Sequence, residues 1–214
     1  MKHMLSKMRA FLRASGGVAA VEFGIVVPTL TVAFVYGAEL FNLSYANMRI
    51  SEMATIAVDD ASRVRSSITE DNIAELFTGA KLAGQSLSFA ENGRIILSSI
   101  QSIPDNAPTP GVKEFKIRWQ RCTGANAANS SYGLEGNTVP LPGIGPVSRK
   151  AGPRLNSEMI FVEIVYQYQP LISEAFLGPQ TIRTTAAMIV RERTANNINA
   201  GTTTAKVCTG AHVA

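Results

Sequence analysis

Few residues of this chain are of a type that does chemistry. The two histidines, His3 and His212, lie close to the two ends of the chain. A Ser-His or Cys-His hydrolase would need His212 in its tail, where precise geometry is difficult to hold. Asp59 and Asp60 are adjacent, and on a helix such neighbours point about 100° apart rather than facing each other. The sequence therefore gives no support for an enzyme.

Cys122 and Cys208 are far apart and form no CxxC pair. This spacing argues against a Cys-rich zinc site or a thioredoxin-like redox motif, and we expect no metal and no other cofactor. The two thiols are either free or joined in a disulfide. If the bulk of the chain is exported, a disulfide is favoured, and closing a loop of about 87 residues would stabilise the fold by on the order of 4 to 5 kcal/mol.

The formal net charge of +4 comes from one short segment. Residues 1–17 contain Lys2, Lys7, Arg9 and Arg13 and no acid, which leaves sixteen bases and sixteen acids in the rest of the chain. No basic patch for nucleic acid is indicated by this balance. The composition, 46% hydrophobic and 17% charged, excludes a disordered chain and indicates that some apolar residues contact lipid.

An apolar run follows the basic segment and has no charged residue from Phe23 to Ala38. With the residues from Val18 it is long enough to cross about 30 Å of hydrocarbon as a helix that rises about 1.5 Å per residue. We therefore predict a transmembrane helix over 18–40. The bases before it, against only Arg49 soon after it, place the N-terminus in the cytoplasm and the rest of the chain outside.

Glu22 is an acid at the start of this run, five residues after Gly17. A charge in mid-bilayer costs about 2.5 to 3.5 kcal/mol on insertion scales, so its presence needs a physical reason. Cleavage after Gly17 would supply one, because Val18 would become the N-terminus and Glu22 would lie near the positive end of the helix dipole. The carboxylate could then pair with the freed amine of an adjacent subunit.

Two other interpretations of the apolar run stay open. An ordinary secretory signal would be cleaved after Gly37, giving an exported enzyme that begins at Ala38. A plain signal anchor would keep its leader, giving an uncleaved single-pass periplasmic binding or structural protein. Glu39, near the outer end of the run, is interpreted as an interfacial charge rather than a pairing group.

The basic leader, Gly17 and the following VAAVEF resemble the prepilin-peptidase site of type IV pilin-like proteins, with Gly before the cut and Glu at the fifth position. The first third of the chain also resembles the N-terminal signature of TadE-like minor pseudopilins of tight-adherence (Tad) pilus systems. The shared features are AAVEF at 19–23, Pro28 in the apolar run, the Gly37 and Glu39 pair, and DDASRV at 59–64. At DDASR the family more usually has a Glu-Gly-Ala-Arg-like run.

This resemblance implies a role in assembly rather than in catalysis. It implies a bacterial inner-membrane protein with a periplasmic C-terminal domain, cleaved between Gly17 and Val18, in which Glu22 and Phe23 act in processing and helix packing. The implied role is to initiate or support assembly of a Flp-type adhesive pilus. The implied partners are a prepilin peptidase, the major Flp pilin, other minor pseudopilins, an inner-membrane assembly platform and the lipid bilayer.

The elements that position these residues are predicted to form an α+β fold, in which the transmembrane helix extends as a stalk and packs on a small antiparallel β-sheet head. Apolar residues at three- and four-residue spacing continue the helix beyond the span. Thr69 is predicted to cap a short second helix that ends at Gly79 or Gly84. The predicted divisions are a cleaved leader (1–17), a transmembrane helix (18–40), the stalk and second helix (41–84), the β head (85–193) and a tail (194–214).

Within the head, LSFAE and RIILSS are predicted to form a hairpin that turns at Asn92 and Gly93. Alternation along the strand 112–122 puts Phe115, Ile117 and Trp119 on one buried face. The segments 159–171 and 181–193 are predicted as two more strands.

Two segments of the head and tail lack any periodic pattern. Residues 122–156 are rich in Gly, Asn, Ser and Pro, and they are predicted to form a long exposed loop that either contacts a partner or is an ordinary insertion. The tail is predicted to be disordered unless Cys208 fastens it to Cys122.

Overall fold

The computed structural model describes residues 16–105, 107, 111–172, 174–191 and 193–208. Most of the predicted leader, residues 1–15, lies outside the described part. In chain order the elements are α1 (Gly16–Arg63), β1 (Ser66–Thr69), α2 (Glu70–Ala83), a 3-10 turn (Gln85–Leu87), α3 (Phe89–Asn92), β2 (Gly93–Pro104), β3 (Val112–Thr123), β4 (Thr138–Val139), β5 (Glu158–Gln167), α4 (Glu174–Leu177), β6 (Thr181–Ile189) and β7 (Arg193–Asn199). The predicted α+β architecture, a long N-terminal apolar helix with an antiparallel sheet, is confirmed.

Helix α1 is a single helix of 48 residues with two different environments. Its first half, residues 17–38, is exposed apart from the half-buried positions 35 and 38, whereas its second half, from Glu39 onward, buries a stripe of mostly small side chains against the sheet. The buried stripe includes Ala46, Ile50, Ala54, Ala57 and Ala61. Alanine at these positions lets the helix backbone lie close to the sheet, so the predicted stalk is also a core element of the head.

The main sheet has five strands in the order β4-β3-β2-β5-β6, and all of the pairings are antiparallel. Helix α1 contacts β5 and β6, and the core on that face also takes side chains from α2. A second apolar cluster lies on the other face, where residues of the 122–156 segment cover the sheet. The sheet is therefore covered on both faces, with α1 and α2 on one side and residues of the 122–156 segment on the other.

The structure corrects the predicted face of one strand. Phe115 and Ile117 pack in the second cluster, whereas Trp119 packs in the core under α1. The pairing of β2 with β3 shifts between Ser99 and Ile100, so that Arg118 is an extra residue on β3. An inserted residue reverses the alternation of side chains beyond it, which explains why Trp119 turns to the opposite face.

The predicted hairpin at Asn92 and Gly93 is wrong. Phe89 and the residues up to Asn92 form the short helix α3, and Gly93 begins β2 with an extended backbone (φ −112°) rather than the positive φ of a type I′ turn. Phe89 is fully buried and stacks on Tyr166, with ring centroids 6.1 Å apart. A Cβ on Gly93 would meet the Phe89 ring at 2.2 Å, so glycine is required here for close approach.

The predictions for α2 are confirmed. Thr69 accepts a hydrogen bond from the Asn72 backbone N–H, and the Asn72 side chain accepts one from the Thr69 backbone in return. The helix ends at Gly84, the second of the two predicted positions. Ile73 and Phe77 are buried against α1, which fixes α2 beside the stalk.

The segment 122–156 is not simply an exposed loop. Val139 of β4 pairs with Phe115 of β3, and Ile144 forms a β-bridge with Ala151. Val139 and Ile144 are buried in the second cluster because they cover the apolar face that the helices leave open. Much of the segment is thus a packed cover for the sheet.

The two later strands are shorter than predicted, and the tail contains a strand. Strand β5 ends at Gln167 rather than 171, and β6 ends at Ile189 rather than 193. Strand β7 then pairs in parallel with β1, with Thr69 opposite Asn199. The condition attached to the tail prediction is met by a disulfide, and the tail is ordered into the fold as far as Cys208.

Candidate functional site

The exposed half of α1 is the most unusual surface of the molecule. Large apolar side chains point outward along it, among them Phe23 (70% exposed) and Phe34 (79% exposed). Within the described residues, one helix is long and apolar enough to cross a membrane, and it is this one. Helix α1, near the N-terminus, could therefore span a membrane once.

The two threonine hydroxyls inside this exposed half are satisfied by the helix itself. The Thr29 hydroxyl donates to the Ile25 carbonyl at 3.0 Å, and the Thr31 hydroxyl donates to the Val27 carbonyl at 2.8 Å. In hydrocarbon an unpaired hydroxyl has no water to bond, so these local bonds make both threonines compatible with lipid. Glu22 is the single charged residue between Val18 and Ala38.

The structure places the predicted site residues at the start of α1. The bond between Gly17 and Val18 lies in the first turn of the helix, and Glu22 and Phe23 are exposed just after it. The first N–H groups of a helix have no acceptor within it, and glycine is among the poorest helix formers. A Cβ on Gly17 would meet nothing within 4 Å, so packing in the described part of the chain does not require glycine here.

The interpretation of Glu39 as an interfacial charge is wrong, because this carboxylate is fully buried and paired. It accepts a hydrogen bond from the Tyr168 hydroxyl at 2.6 Å. It also accepts backbone N–H bonds from Leu171 at 3.2 Å and Ile172 at 3.1 Å. We call Glu39 and these three partners the Glu39 junction. It joins α1, where the exposed half ends, to the loop between β5 and β6.

Tyr168 keeps its proton in this junction. Burial, together with the bond to Glu39, raises the pKa of Tyr168 to about 12. The phenol is therefore neutral at physiological pH and donates to the carboxylate, while its oxygen accepts a bond from Asn42 at 2.7 Å. Sequence reasoning missed this contact because Glu39 and Tyr168 are 129 residues apart and no local pattern links them.

The tail is held at the other end of the stalk by a disulfide between Cys122 and Cys208. Next to the bridge, the Cys122 N–H donates to the Lys206 carbonyl at 2.8 Å, and Arg121 pairs with Val207. Arg121 also forms a buried ion pair with Glu70, with 2.7 Å between Nη2 and Oε1. The covalent link therefore lies beside a buried charge pair at the edge of β3.

Asp71 binds the tail just before the disulfide. Its carboxylate accepts backbone N–H bonds from Thr202 at 3.0 Å and Thr203 at 2.8 Å, and a hydroxyl bond from Thr202 at 3.1 Å. The bonds from Thr203 and Thr202 lower the pKa of Asp71 from 3.8 to about 2. Hydrogen bonds to the charged form of a carboxylate favour ionisation.

We expect the tail contact at Asp71 to weaken in acid. Because the pKa is lower in the folded state, the contribution of Asp71 to stability is present above pH 3.8 and is lost as the pH falls toward 2. In NMR spectra of the full chain in micelles, the Thr202 and Thr203 amide signals should shift with a midpoint near pH 2. In Asp71→Asn this titration should be absent, and a midpoint near 3.8 in the unmodified chain would contradict the prediction.

Asp59 and Asp60, the adjacent acids of the sequence, are half-buried and exposed, respectively, on α1. Asp59 forms an ion pair with Arg63 at 2.8 Å on the surface of α1. No group of three or more His, Cys, Asp or Glu residues in the described ranges is placed to hold a metal ion. Comparison of the chain with protein-family models, with curated proteins and with solved structures finds no match. The class of the protein is therefore defined by its own structure, which is an α+β head on a helix that could cross a membrane.

Proposed function

We propose that this protein is a pilin-like membrane subunit, similar to a TadE-type minor pseudopilin, that supports assembly of a Flp-type adhesive pilus. The observation that carries the proposal is the exposed apolar half of α1, with Glu22 as its single charge. The disulfide between Cys122 and Cys208 supports export of the head, since such bonds persist in the periplasm rather than the cytoplasm.

In this proposal the leader first holds the precursor in the inner membrane with its head in the periplasm. A prepilin peptidase then cuts after Gly17, in the first turn of α1, where the helix is easiest to unwind. The new amine at Val18 and the carboxylate of Glu22 pair between neighbouring subunits inside the membrane. Such a pair sets the register in which the apolar helices of this subunit, the major pilin and other pseudopilins pack on the assembly platform.

The length of the processed helix fits this role. From Val18 to Glu39 the helix rises about 32 Å at 1.5 Å per residue, close to the roughly 30 Å of a bilayer's hydrocarbon core. Glu39 is buried against the head at the end of this stretch, so its charge is kept out of the lipid. The boundary between span and head therefore coincides with the change from exposed to buried on α1.

The mature N-terminus tests the proposal. Mass spectrometry of the protein isolated from cells with the peptidase should find Val18 as the first residue, and cells without the peptidase should contain the uncleaved chain. Ala38 as the first residue would indicate an exported protein with an ordinary signal. Met1 in both strains would indicate an uncleaved anchor.

We predict that Glu22→Ala leaves cleavage largely intact but weakens association of the helices. Polar contacts between helices in membranes contribute about 1 to 2 kcal/mol, so the association constant should fall about 5- to 30-fold. Crosslinking of subunits in membranes, together with counts of pili, would measure the loss.

Glu52→Ala is the matched control for this variant. It removes an exposed acid from the same helix, paired with Arg49 at 2.8 Å but outside the span. Crosslinking and piliation should be unchanged in the control. If Glu22→Ala behaves like Glu52→Ala, lateral pairing by Glu22 is refuted.

A further inference from the structure

The loop between β5 and β6 carries two exposed aliphatic side chains that the core does not use. Leu171 is 67% exposed and Ile172 is 50% exposed. They are consecutive, follow Pro170, and belong to the segment 167–180, which contains no Lys or Arg. Consecutive aliphatic side chains that are exposed to water favour aggregation, so the exposure of Leu171 and Ile172 needs a physical reason.

The Glu39 junction fixes where these two side chains lie. The backbone N–H groups of Leu171 and Ile172 both donate to the Glu39 carboxylate, at 3.2 and 3.1 Å. Both bonds are accepted by a buried carboxylate, and charge-assisted hydrogen bonds of this kind fix the relative positions of the groups that they join. The loop tip is therefore held beside α1 at the level of residue 39.

That level is also where the exposed apolar half of α1 ends. Glu39 lies about 32 Å along the helix from Val18, so a bilayer centred on the span ends close to it. Tyr36 and Phe41 are exposed on the helix at the same level, and aromatic side chains are enriched at such interfaces. Leu171 and Ile172 are thus exposed at the level where the apolar part of the helix ends.

We propose that Leu171 and Ile172 insert into the head-side leaflet of the bilayer spanned by α1, as a second membrane contact of the head. The occupant of this surface is the lipid of that same bilayer, because the bonds to Glu39 hold both residues at the level where the exposed apolar half of α1 ends. Two contacts, one through α1 and one through the loop, fix how the head is oriented on the membrane. The inference rests on the membrane span of the proposed function but not on cleavage after Gly17.

The contact is apolar rather than electrostatic. The segment 167–180 has no base to bind lipid phosphate, and its acid, Glu174, is exposed two residues beyond Ile172. Anionic lipids would therefore not strengthen the contact, and added salt would not release it. Salt dependence separates insertion of the aliphatic side chains from attraction between charges.

Quenching by brominated lipid tests the proposal on the full chain. One tryptophan would be added to the natural protein in each of two variants, Leu171→Trp and Ile172→Trp. Each variant would be reconstituted in phosphatidylcholine vesicles with and without bromine on the acyl chains. The natural Trp119 is buried in the head and supplies a constant background. The emission added by the new tryptophan should be lost in brominated lipid, should shift to shorter wavelength in ordinary lipid, and should respond equally at low and high salt.

Val147→Trp is the matched control. Val147 is also an exposed aliphatic residue of a loop, at 95% exposure. Its neighbours Ile144 and Arg149 line a cavity together with Thr55 of α1. Thr55 is about 24 Å further along the helix than Glu39, so this loop lies away from the level at which the bilayer would end. Emission from this position should be the same in both lipids.

Phe34→Trp, in the exposed half of α1, reports on the span itself. If it is quenched while positions 171 and 172 are quenched no more than position 147, the loop contact is overturned and the span stands. If Phe34→Trp is not quenched, the span is wrong and the loop contact with it. Processing is read separately from the mature N-terminus, so failure of the pilin role is distinguishable from both outcomes.

Discussion

Cells that produce the Gly17→Leu variant are expected to accumulate the full-length precursor in the membrane and to contain none of the processed form. A peptidase that cuts after glycine must fit the residue before the cut into a small site, and leucine adds a branched side chain there. The substitution should leave the fold intact, because a Cβ at this position meets nothing within 4 Å. Apparent mass on gels and the mass of the isolated protein would measure the effect.

Gly37→Leu is the reciprocal control for this experiment. Gly37 also lies in the exposed half of α1, and a Cβ there also meets nothing within 4 Å. If the peptidase acts after Gly17, the Gly37 variant should be processed normally. If an ordinary signal is removed after Gly37, the result should be reversed, and an uncleaved anchor would show the same mass in both variants.

The second large effect is expected from loss of the disulfide. Cys122 and Cys208 are separated by 86 positions, and closing a loop of that length reduces the entropy of the unfolded chain. In the chain-entropy model the contribution is about 4 to 5 kcal/mol, a large part of the roughly 5 to 15 kcal/mol that stabilises a typical domain. Cys208→Ser should lower the free energy of unfolding of the full chain in detergent by about this amount.

Reduction of the unmodified protein and a double variant, Cys122→Ala with Cys208→Ala, serve as controls. Cys122 is buried, so Cys208→Ser alone also leaves a buried thiol, whereas the double variant removes it. All three should be destabilised to a similar degree if the covalent link is the cause. A denaturation midpoint that does not change on reduction would contradict the prediction.

The features predicted well were those that local sequence determines. The cap at Thr69 depends on Asn72, three residues away, and the start of the apolar helix depends on a continuous run. Helix-forming signals act over a few residues, so they can be read without knowledge of the rest of the fold. The α+β class followed from the same local signals.

The features that were missed depend on residues distant in sequence. The extra residue Arg118 is defined by its pairing with β2, and alternation along β3 alone cannot reveal it. The helical turn at Phe89 replaces a hairpin because its ring packs on Tyr166, 77 positions later. Strand β7 likewise forms by pairing with β1, which comes before the five strands of the main sheet in the chain, whereas β7 comes after them. In each case tertiary packing decides between conformations that local sequence leaves equally open.

The candidate site divides in the same way. Gly17, Val18, Glu22 and Phe23 were chosen from the sequence, because a basic leader and an acid in an apolar run are adjacent signals. The pairing of Glu39 could not be predicted from the sequence, since its partners come from a loop about 130 positions away. An acid next to a predicted span has two physical explanations, exposure at the interface or burial against the head. Only the packed structure distinguishes them.

The unbroken course of α1 from span to head has a mechanical consequence. A helix of 48 residues is about 72 Å long, and the part beyond Glu39 is about 36 Å of it. Tilting the span by about 20°, a common angle for membrane helices, would swing Arg63 sideways by about 12 Å if the helix pivots at the bilayer surface. The helix thus acts as a lever that converts tilting of the span into displacement of the distal head, and the lipid contact proposed for Leu171 and Ile172 is the contact that would oppose this movement.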